Sequence, residues 1–176
     1  MIREAWALLF ETSNILYCHQ NGIDHLKTKM VVVVQKMIES QSSGVVFTTD
    51  PVTSDKNTVI IEAIYGLKEL AVLGRVKADQ YKVDKKEMKI VGKNIVEQDI
   101  MMAKGNTLNK EVQVACNMRS KQKIPDNDTI ALAQYAKKLE KHYYFPQDIE
   151  WAKENEKIYI IQIRPLTVFS QSQGVE

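Results

Sequence analysis

The sequence predicts an α+β fold in which a largely antiparallel sheet packs against helices, and three observations support this. Three apolar runs between residues 30 and 66 are separated by short polar connections, which favours pairing of neighbouring strands. Residues 81–96 alternate apolar and polar side chains around a charged centre, which is typical of a hairpin. Residues 125–144 carry apolar side chains at helical spacing.

Composition places the chain among ordinary globular domains. It has 176 residues, 44% of them hydrophobic, and 24 basic against 22 acidic side chains, for a net charge of +2. This balance gives no support for broad binding of nucleic acid or a membrane surface. Arg3, Glu4 and Glu11 interrupt the first apolar run, which excludes a signal peptide or a membrane span there. Cys18 and Cys116 form no CxxC pair, so we expect a reduced, cytoplasmic domain.

The first third of the chain predicts one helix followed by one strand. Apolar side chains recur at helical spacing over Ile2–Gln20, and Asn21-Gly22 is a suitable stop for that helix. The run Met30–Ile38 is rich in valine and does not alternate, which is typical of a strand covered on both faces. Three of its side chains are expected in the core: Val33, Val34 and Met37.

Two further strands and a hairpin follow. Residues 43–51 and 58–66 read as neighbouring strands, and the hairpin of residues 81–96 should turn near Asp84 to Glu87. Residues 67–80 predict one helical turn and then a loop around Gly74. The stretch 97–110 has no clear period and is predicted to be a loop.

The segment 125–144 predicts the most regular helix. Asp126 or Asp128 is expected to cap it, and Pro146 to end the helical segment. Four side chains fall on one face of it: Leu132, Ala136, Leu139 and Tyr143.

Residues 146–167 predict a second hairpin whose register decides which side chains share a face. A three-residue loop over 155–157 places Gln162 opposite Glu150 and Arg164 opposite Asp148. A two-residue turn would shift the register by one and mix charged and apolar groups on both faces. Burial favours the first register, because charged groups are rarely buried without a partner. The opposite face would carry Ile149, Trp151, Tyr159, Ile161 and Ile163.

The polar face of this hairpin has two interpretations. A carboxylate and an amide oxygen suit Mg²⁺, and a nearby arginine supplies donors for a phosphoryl group, which indicates a nucleotide–metal site. The other interpretation is a solvent-exposed face with an Arg–Asp pair, as in many amphipathic hairpins. The geometry alone leaves both open.

Several blocks in collinear order resemble one enzyme family. "PQDIEWA" and "IYIIQIRPLT" are similar to the end of the nucleotide-binding domain of the phosphoenolpyruvate synthase family, which includes pyruvate phosphate dikinase and rifampicin phosphotransferase. "IREAWALLF", "NGIDHLKTKMVVVVQKMI", "SSGVVFTTDPVT", "VIIEAIYGLKE" and "GRVKADQYKV" agree with preceding blocks of that domain. The resemblance runs from Ile2 to Thr167.

The resemblance implies the C-terminal subdomain of an ATP-grasp fold, with residues 1–168 as a partial nucleotide-binding domain and 169–176 as a polar tail or the start of a linker. It implies that Glu150 and Gln162 bind Mg²⁺ and that Arg164 contacts the phosphates of ATP as a catalytic residue. It also implies an adenine hinge at three residues: Gln35, Met37 and Ile38.

In that family, ATP phosphorylates a histidine on a separate carrier domain, which passes the phosphoryl group to pyruvate or another acceptor. His19, His25 and His142 fit no carrier motif, and the glycine-rich loop of an N-terminal ATP-grasp subdomain has no counterpart here. We therefore expect the chain to need both partners and to be inactive alone. The alternatives are a non-catalytic nucleotide-binding module and a fragment of a rifampicin phosphotransferase-like enzyme.

The sequence departs from the family pattern in a few places. Lys68 and Tyr144 stand where glycine is common, and Ala78 where proline is common. Glu62 lies in an apolar strand, and a structural salt bridge is favoured there over a catalytic role.

Overall fold

The computed structural model describes residues 2–105 and 108–166. Thr167, the predicted boundary at residue 168 and the predicted tail 169–176 lie outside the described residues. The chain divides into two units, one ending at Met37 and the other beginning at Ile38.

The first unit is helical, but the single helix predicted for Ile2–Gln20 is interrupted. Glu11 is extended (φ −74°, ψ 147°), and the Asn14 side chain donates a 2.6 Å hydrogen bond to the Leu8 carbonyl. Short polar side chains compete in this way with helical hydrogen bonds, which explains why the helix breaks at Glu11, just before Thr12-Ser13-Asn14. The predicted stop is confirmed, since Gly22 has φ +65°. The elements are α1 (Ile2–Ala7), a 3-10 turn (Leu8–Phe10), α2 (Thr12–Gln20) and a second 3-10 turn (His25–Lys27).

The strand predicted for Met30–Ile38 is absent. The segment has no regular secondary structure, and Val31, Val33 and Val34 are 86%, 77% and 79% exposed. The prediction that Val33, Val34 and Met37 belong to the core is therefore wrong. A β-branched run forms a strand only where it packs on a pleated, half-buried surface, and these side chains have none.

The second unit contains two antiparallel sheets, which confirms the predicted α+β class. The larger sheet has six strands in the order β4-β3-β2-β1-β7-β8, and the smaller pairs β5 with β6. The strands are β1 (Ser42–Phe47), β2 (Thr58–Tyr65), β3 (Asp79–Asp84), β4 (Lys89–Asn94), β5 (Ile100–Ala103), β6 (Lys110–Gln113), β7 (Gln147–Glu154) and β8 (Lys157–Pro165). The helices are α3 (Glu69–Val72) and α4 (Asp126–Tyr143).

Most strand predictions in this unit are confirmed, with one error. The strands predicted at 43–51 and 58–66 and the hairpin turn after Asp84 are present. The loop predicted for 97–110 instead contains β5, whose pairing with β6 runs from Ile100↔Gln113 to Ala103↔Lys110. The strand depends on its pairing with β6, because its four residues show no alternation of apolar and polar side chains that would predict it.

Helix α4 covers one face of the large sheet. Leu132 and Ala136 are buried there as predicted, whereas Tyr143 is 42% exposed. The predicted cap is wrong: Pro125 occupies the cap position, and Asp126 and Asp128 lie inside the first turn. Each aspartate pairs with a lysine of the sheet, Asp126 with Lys93 and Asp128 with Lys153. The core joins the helix to strand residues Val46, Val59, Ile61, Ala63, Tyr81, Val83, Ile149 and Trp151.

None of the helices in residues 2–105 and 108–166 has both the length and the apolar character needed to cross a membrane.

Candidate functional site

The face of the large sheet opposite α4 carries two rows of paired residues. The first row crosses five strands through Gln80, Glu62, Val45, Glu150 and Gln162. The second row, two residues along, crosses them through Lys82, Ile60, Phe47, Asp148 and Arg164. Side chains alternate between faces along a strand, so both rows lie on one face. The residues predicted to bind Mg²⁺ and phosphate lie together on this face, Glu150 on β7 and Gln162 and Arg164 on β8.

The predicted pairing at the site is confirmed, although the predicted turn is wrong. Glu150 pairs with Gln162, and Asp148 pairs with Arg164. The hairpin tip, however, pairs Glu154 with Lys157, which leaves a two-residue turn rather than a three-residue loop. A register shift between Glu150 and Trp151 restores the pairing.

The physical reason for this shift lies in the turn and in the core. Asn155 adopts φ +54°, a left-handed conformation that asparagine tolerates and that tight two-residue hairpin turns require. The pairing passes from Trp151↔Ile160 to Glu150↔Gln162, so Ile161 is the extra residue of a β-bulge. Ile158 and Ile163 both reach the core face as a result. The bulge thus combines the two-residue turn with the predicted pairs at Glu150 and Asp148. The predicted apolar face is wrong at two residues: Tyr159 pairs with Ala152 on the face of Glu150, and Ile161 is the bulge residue.

Asp148 fixes the orientation of Arg164. Arg164 Nε donates a 2.7 Å hydrogen bond to Asp148 Oδ2, while Arg164 Nη2 lies 4.0 Å from Glu150 Oε1. The hydrogen bond that Arg164 donates to Asp148, and then the negative charge of Asp148, raise the pKa of Arg164, so the guanidinium stays charged. Its side chain is 55% exposed, whereas those of Asp148 and Glu150 are 11% and 9% exposed. The arginine is anchored at Nε, and about half of its side chain is open to solvent.

Lys68 is the residue of this site that sequence reasoning missed. Its ammonium group contacts Glu150 Oε1 directly, and its side chain is 34% exposed. The sequence offered one signal, a lysine where the family often has glycine, but nothing in the sequence placed it beside β7. Lys68 immediately precedes α3 and is the N-cap residue of that helix.

The connection that carries Lys68 is held by the small sheet. Gly66 adopts φ +76°, and a Cβ there would lie 2.4 Å from the Met102 carbonyl oxygen. Leu67 N–H donates a 2.8 Å hydrogen bond to that same carbonyl. Strand β5 therefore fixes the path of the chain from β2 to Lys68.

The donor set fits Mg²⁺ bound together with a phosphate ligand. Within the described part of the chain, no group of three or more His, Cys, Asp or Glu side chains could hold a metal ion. Mg²⁺ commonly takes one or two protein oxygens and completes its shell with water and substrate phosphates, and Glu150 and Gln162 offer such a pair. Asp148 Oδ1 is buried without a hydrogen-bond partner within the described residues, so this face also holds an unused oxygen acceptor.

The predicted adenine residues lie in an irregular segment. Gln35 and Met37 belong to the first unit and are exposed, and Ile38, the first residue of the second unit, is partly buried. None of the three belongs to a strand or helix. Their role toward adenine stays a prediction.

Glu62 differs from expectation. The structure gives it no salt bridge in the described residues, so the predicted structural ion pair is absent there. It hydrogen-bonds to Gln80, its partner across the strands. Burial is the main influence and raises the pKa of Glu62, and the charge of Asp148 acts in the same direction.

Comparison with known proteins places this arrangement in a family. Residues 1–176 match the family described as "Pyruvate phosphate dikinase, AMP/ATP-binding domain". The chain belongs to this family. It is also 37% identical over 175 residues to the "Probable phosphoenolpyruvate synthase" of Methanocaldococcus jannaschii, and 36% identical over 184 residues to the phosphoenolpyruvate synthase of Pyrococcus furiosus. It is 38% identical over 169 residues to the rifampicin phosphotransferase of Bacillus cereus.

These family members are much longer than the matched segment. The alignments cover 98%, 99% and 94% of this chain, but 15%, 22% and 19% of the three relatives in the same order. The family assignment therefore makes the chain an ATP-binding domain of phosphoenolpyruvate synthase-like phosphotransferases. The activity of a whole enzyme is a separate question.

Proposed function

We propose that this chain binds ATP with Mg²⁺ and forms the C-terminal part of the ATP site in a phosphoenolpyruvate synthase-like phosphotransferase. The observation that carries the proposal is the pairing of Glu150 with Gln162 beside an anchored Arg164 on one sheet face. Membership of the AMP/ATP-binding family supports ATP as the nucleotide.

Each residue has a distinct part in this proposal. Glu150 and Gln162 would hold Mg²⁺ through oxygen atoms, and the ion would neutralise charge on the phosphates of ATP. Arg164, oriented by Asp148, presents its free guanidinium edge to a phosphoryl group and acts as the catalytic residue of this chain. Three residues would contact the adenine: Gln35, Met37 and Ile38.

The whole reaction requires parts beyond those described. We propose that ATP phosphorylates a carrier histidine on a separate domain, that an N-terminal ATP-grasp subdomain completes the nucleotide site, and that pyruvate receives the phosphoryl group in the cytoplasm. Rifampicin is the second candidate acceptor, because the B. cereus rifampicin phosphotransferase is as similar to this chain as the phosphoenolpyruvate synthases are.

Calorimetric titration of the chain with a non-hydrolysable ATP analogue in Mg²⁺ tests nucleotide binding. Glu150→Gln and Gln162→Ala should weaken binding only when Mg²⁺ is present, whereas Arg164→Met should weaken it with or without the metal. Glu156→Gln, an exposed acid in the turn of the same hairpin, is the matched control and should bind as the wild type does. Unchanged binding by Glu150→Gln would remove that residue from the site.

A phosphotransfer assay tests the dependence on other domains. The chain alone, with ATP, Mg²⁺ and pyruvate, should form no phosphoenolpyruvate. A chimera in which it replaces the matched segment of the P. furiosus enzyme should form it, and the same chimera with Arg164→Ala should not. Steady turnover by the isolated chain would contradict the proposal.

A further inference from the structure

We propose that Lys68 competes with a divalent cation for Glu150 and, once displaced, provides a positive charge for the nucleotide phosphates. The inference rests on the proposed function, since it takes Glu150 as a metal ligand. In this role, Lys68 favours binding of the metal–nucleotide complex over binding of the free metal ion.

The contacts of Glu150 are the first step. Its carboxylate is buried, and burial of an unpaired charge is strongly unfavourable, so it needs a counter-cation. Arg164 Nη2 is 4.0 Å away, and the guanidinium is already engaged through Nε with Asp148. Lys68, in direct contact, is therefore the principal counter-cation of Glu150.

The second step is that Lys68 and a metal ion require the same atom. Lys68 Nζ contacts Glu150 Oε1, and a hard divalent cation would bind the oxygens of that carboxylate. Lysine carries its charge on a flexible four-carbon stem, and this side chain is one-third exposed, so it has room to move away. The backbone at Leu67 is fixed to Met102, which keeps a displaced ammonium group close to the site.

Charge balance gives the third step. Two carboxylates and two cations, Asp148 and Glu150 with Lys68 and Arg164, make this cluster formally neutral. A free divalent ion adds positive charge and must displace Lys68 without compensation. A metal–triphosphate complex brings net negative charge, which the displaced ammonium can neutralise. Removing the lysine charge should therefore have opposite effects on the two ligands.

The test measures both ligands on the full chain. In Lys68→Met, Mn²⁺ alone should bind roughly fivefold more tightly, as expected for a partly exposed ion pair. Free Mn²⁺ is followed by electron paramagnetic resonance. The same variant should bind Mg²⁺ with a non-hydrolysable ATP analogue roughly fivefold more weakly by calorimetry. Lys68→Arg keeps the positive charge and should behave more like the wild type. Lys93→Met is the matched control, because Lys93 is 33% exposed and pairs with Asp126 on the other face of the sheet.

Other outcomes separate this inference from the proposed function. If Lys68→Met leaves both affinities unchanged, or shifts them in the same direction, while Glu150→Gln loses metal binding, the inference is wrong and the proposed function stands. If Glu150→Gln binds both ligands as well as the wild type, or if the wild type binds neither, both proposals fail.

A measurement on the wild type needs no variant that might misfold. Acylation of lysine amines, followed by mass spectrometry, reports how accessible each ammonium group is. Mn²⁺ should increase the labelling of Lys68 and leave Lys93 unchanged. Equal labelling of Lys68 with and without saturating Mn²⁺ would overturn the competition.

Discussion

The ion pair between Lys123 and Asp79 should be one of the most sensitive points of the fold. Both side chains are fully buried, with a 2.9 Å contact between Lys123 Nζ and Asp79 Oδ1. The carboxylate also accepts hydrogen bonds from the backbone N–H groups of Val96 (3.0 Å) and Lys123 (2.9 Å) and from the Tyr81 hydroxyl (3.1 Å). Burial raises the pKa of Tyr81, so that hydroxyl remains a donor.

Lys123→Met removes the cation and leaves the carboxylate buried. Loss of one member of a buried pair costs about 3–5 kcal/mol, because the remaining charge has no counter-ion. A domain of this size has a free energy of unfolding of about 5–15 kcal/mol, so the loss is a large share of the total. With a urea slope of about 2 kcal/mol/M, the unfolding midpoint should fall by about 1.5–2.5 M.

Equilibrium urea unfolding of four proteins forms a double-mutant cycle: the wild type, Lys123→Met, Asp79→Asn and the double variant Asp79→Asn/Lys123→Met. The double variant should be less destabilised than the sum of the single variants, since it leaves no buried charge. Lys93→Met, which breaks a more exposed pair, should change stability by about 1 kcal/mol or less. A loss of less than about 1 kcal/mol in Lys123→Met would refute the reasoning.

Three further variants test individual backbone and charge effects. Gly44→Ala should destabilise by about 3 kcal/mol or more in thermal unfolding, because its Cβ would lie 1.8 Å from the Glu62 carbonyl oxygen. Tyr144→Gly should stabilise by about 1 kcal/mol, because Tyr144 has φ +64° and is 92% exposed, and Tyr144→Ala should show no such gain. Glu62→Gln tests a dependence on pH. Burial raises the pKa of Glu62 in the folded protein above its ordinary value of 4.5. The protonated side chain therefore stabilises the fold below pH 4.5, and this contribution is lost as pH rises through the folded pKa. Urea unfolding across that range should show the wild type losing stability relative to Glu62→Gln as pH rises, and parallel profiles would contradict the shift.

The polar face of the β7–β8 hairpin could be predicted from sequence because a strict alternation leaves few acceptable registers. Glu150, Gln162 and Arg164 had to share a face if the isoleucines were to be buried. The bulge at Ile161 could not be predicted, because it arises from a conflict between the turn preference of Asn155 and that alternation.

Two other features depend on contacts that local sequence does not encode. Lys68 reaches Glu150 because β5 fixes the chain at Met102, and nothing in residues 97–110 indicated that strand. The run Met30–Ile38 has strong strand propensity, yet it forms no strand, because propensity is expressed only on a surface that pairs and covers it.

The bulge at Ile161 also affects how the hairpin tolerates changes in length. It lies between the tip of the hairpin and the Glu150–Gln162 pair, so the two ends of the ladder keep separate registers. A residue gained or lost in the turn at Asn155-Glu156 can be absorbed by moving or removing the bulge, while Gln162 and Arg164 stay on their face. A single deletion between Gln162 and Arg164 cannot be absorbed by the bulge, and it would turn one of these two side chains toward the core. Related chains can therefore vary at this tip and preserve the chemistry four residue pairs away.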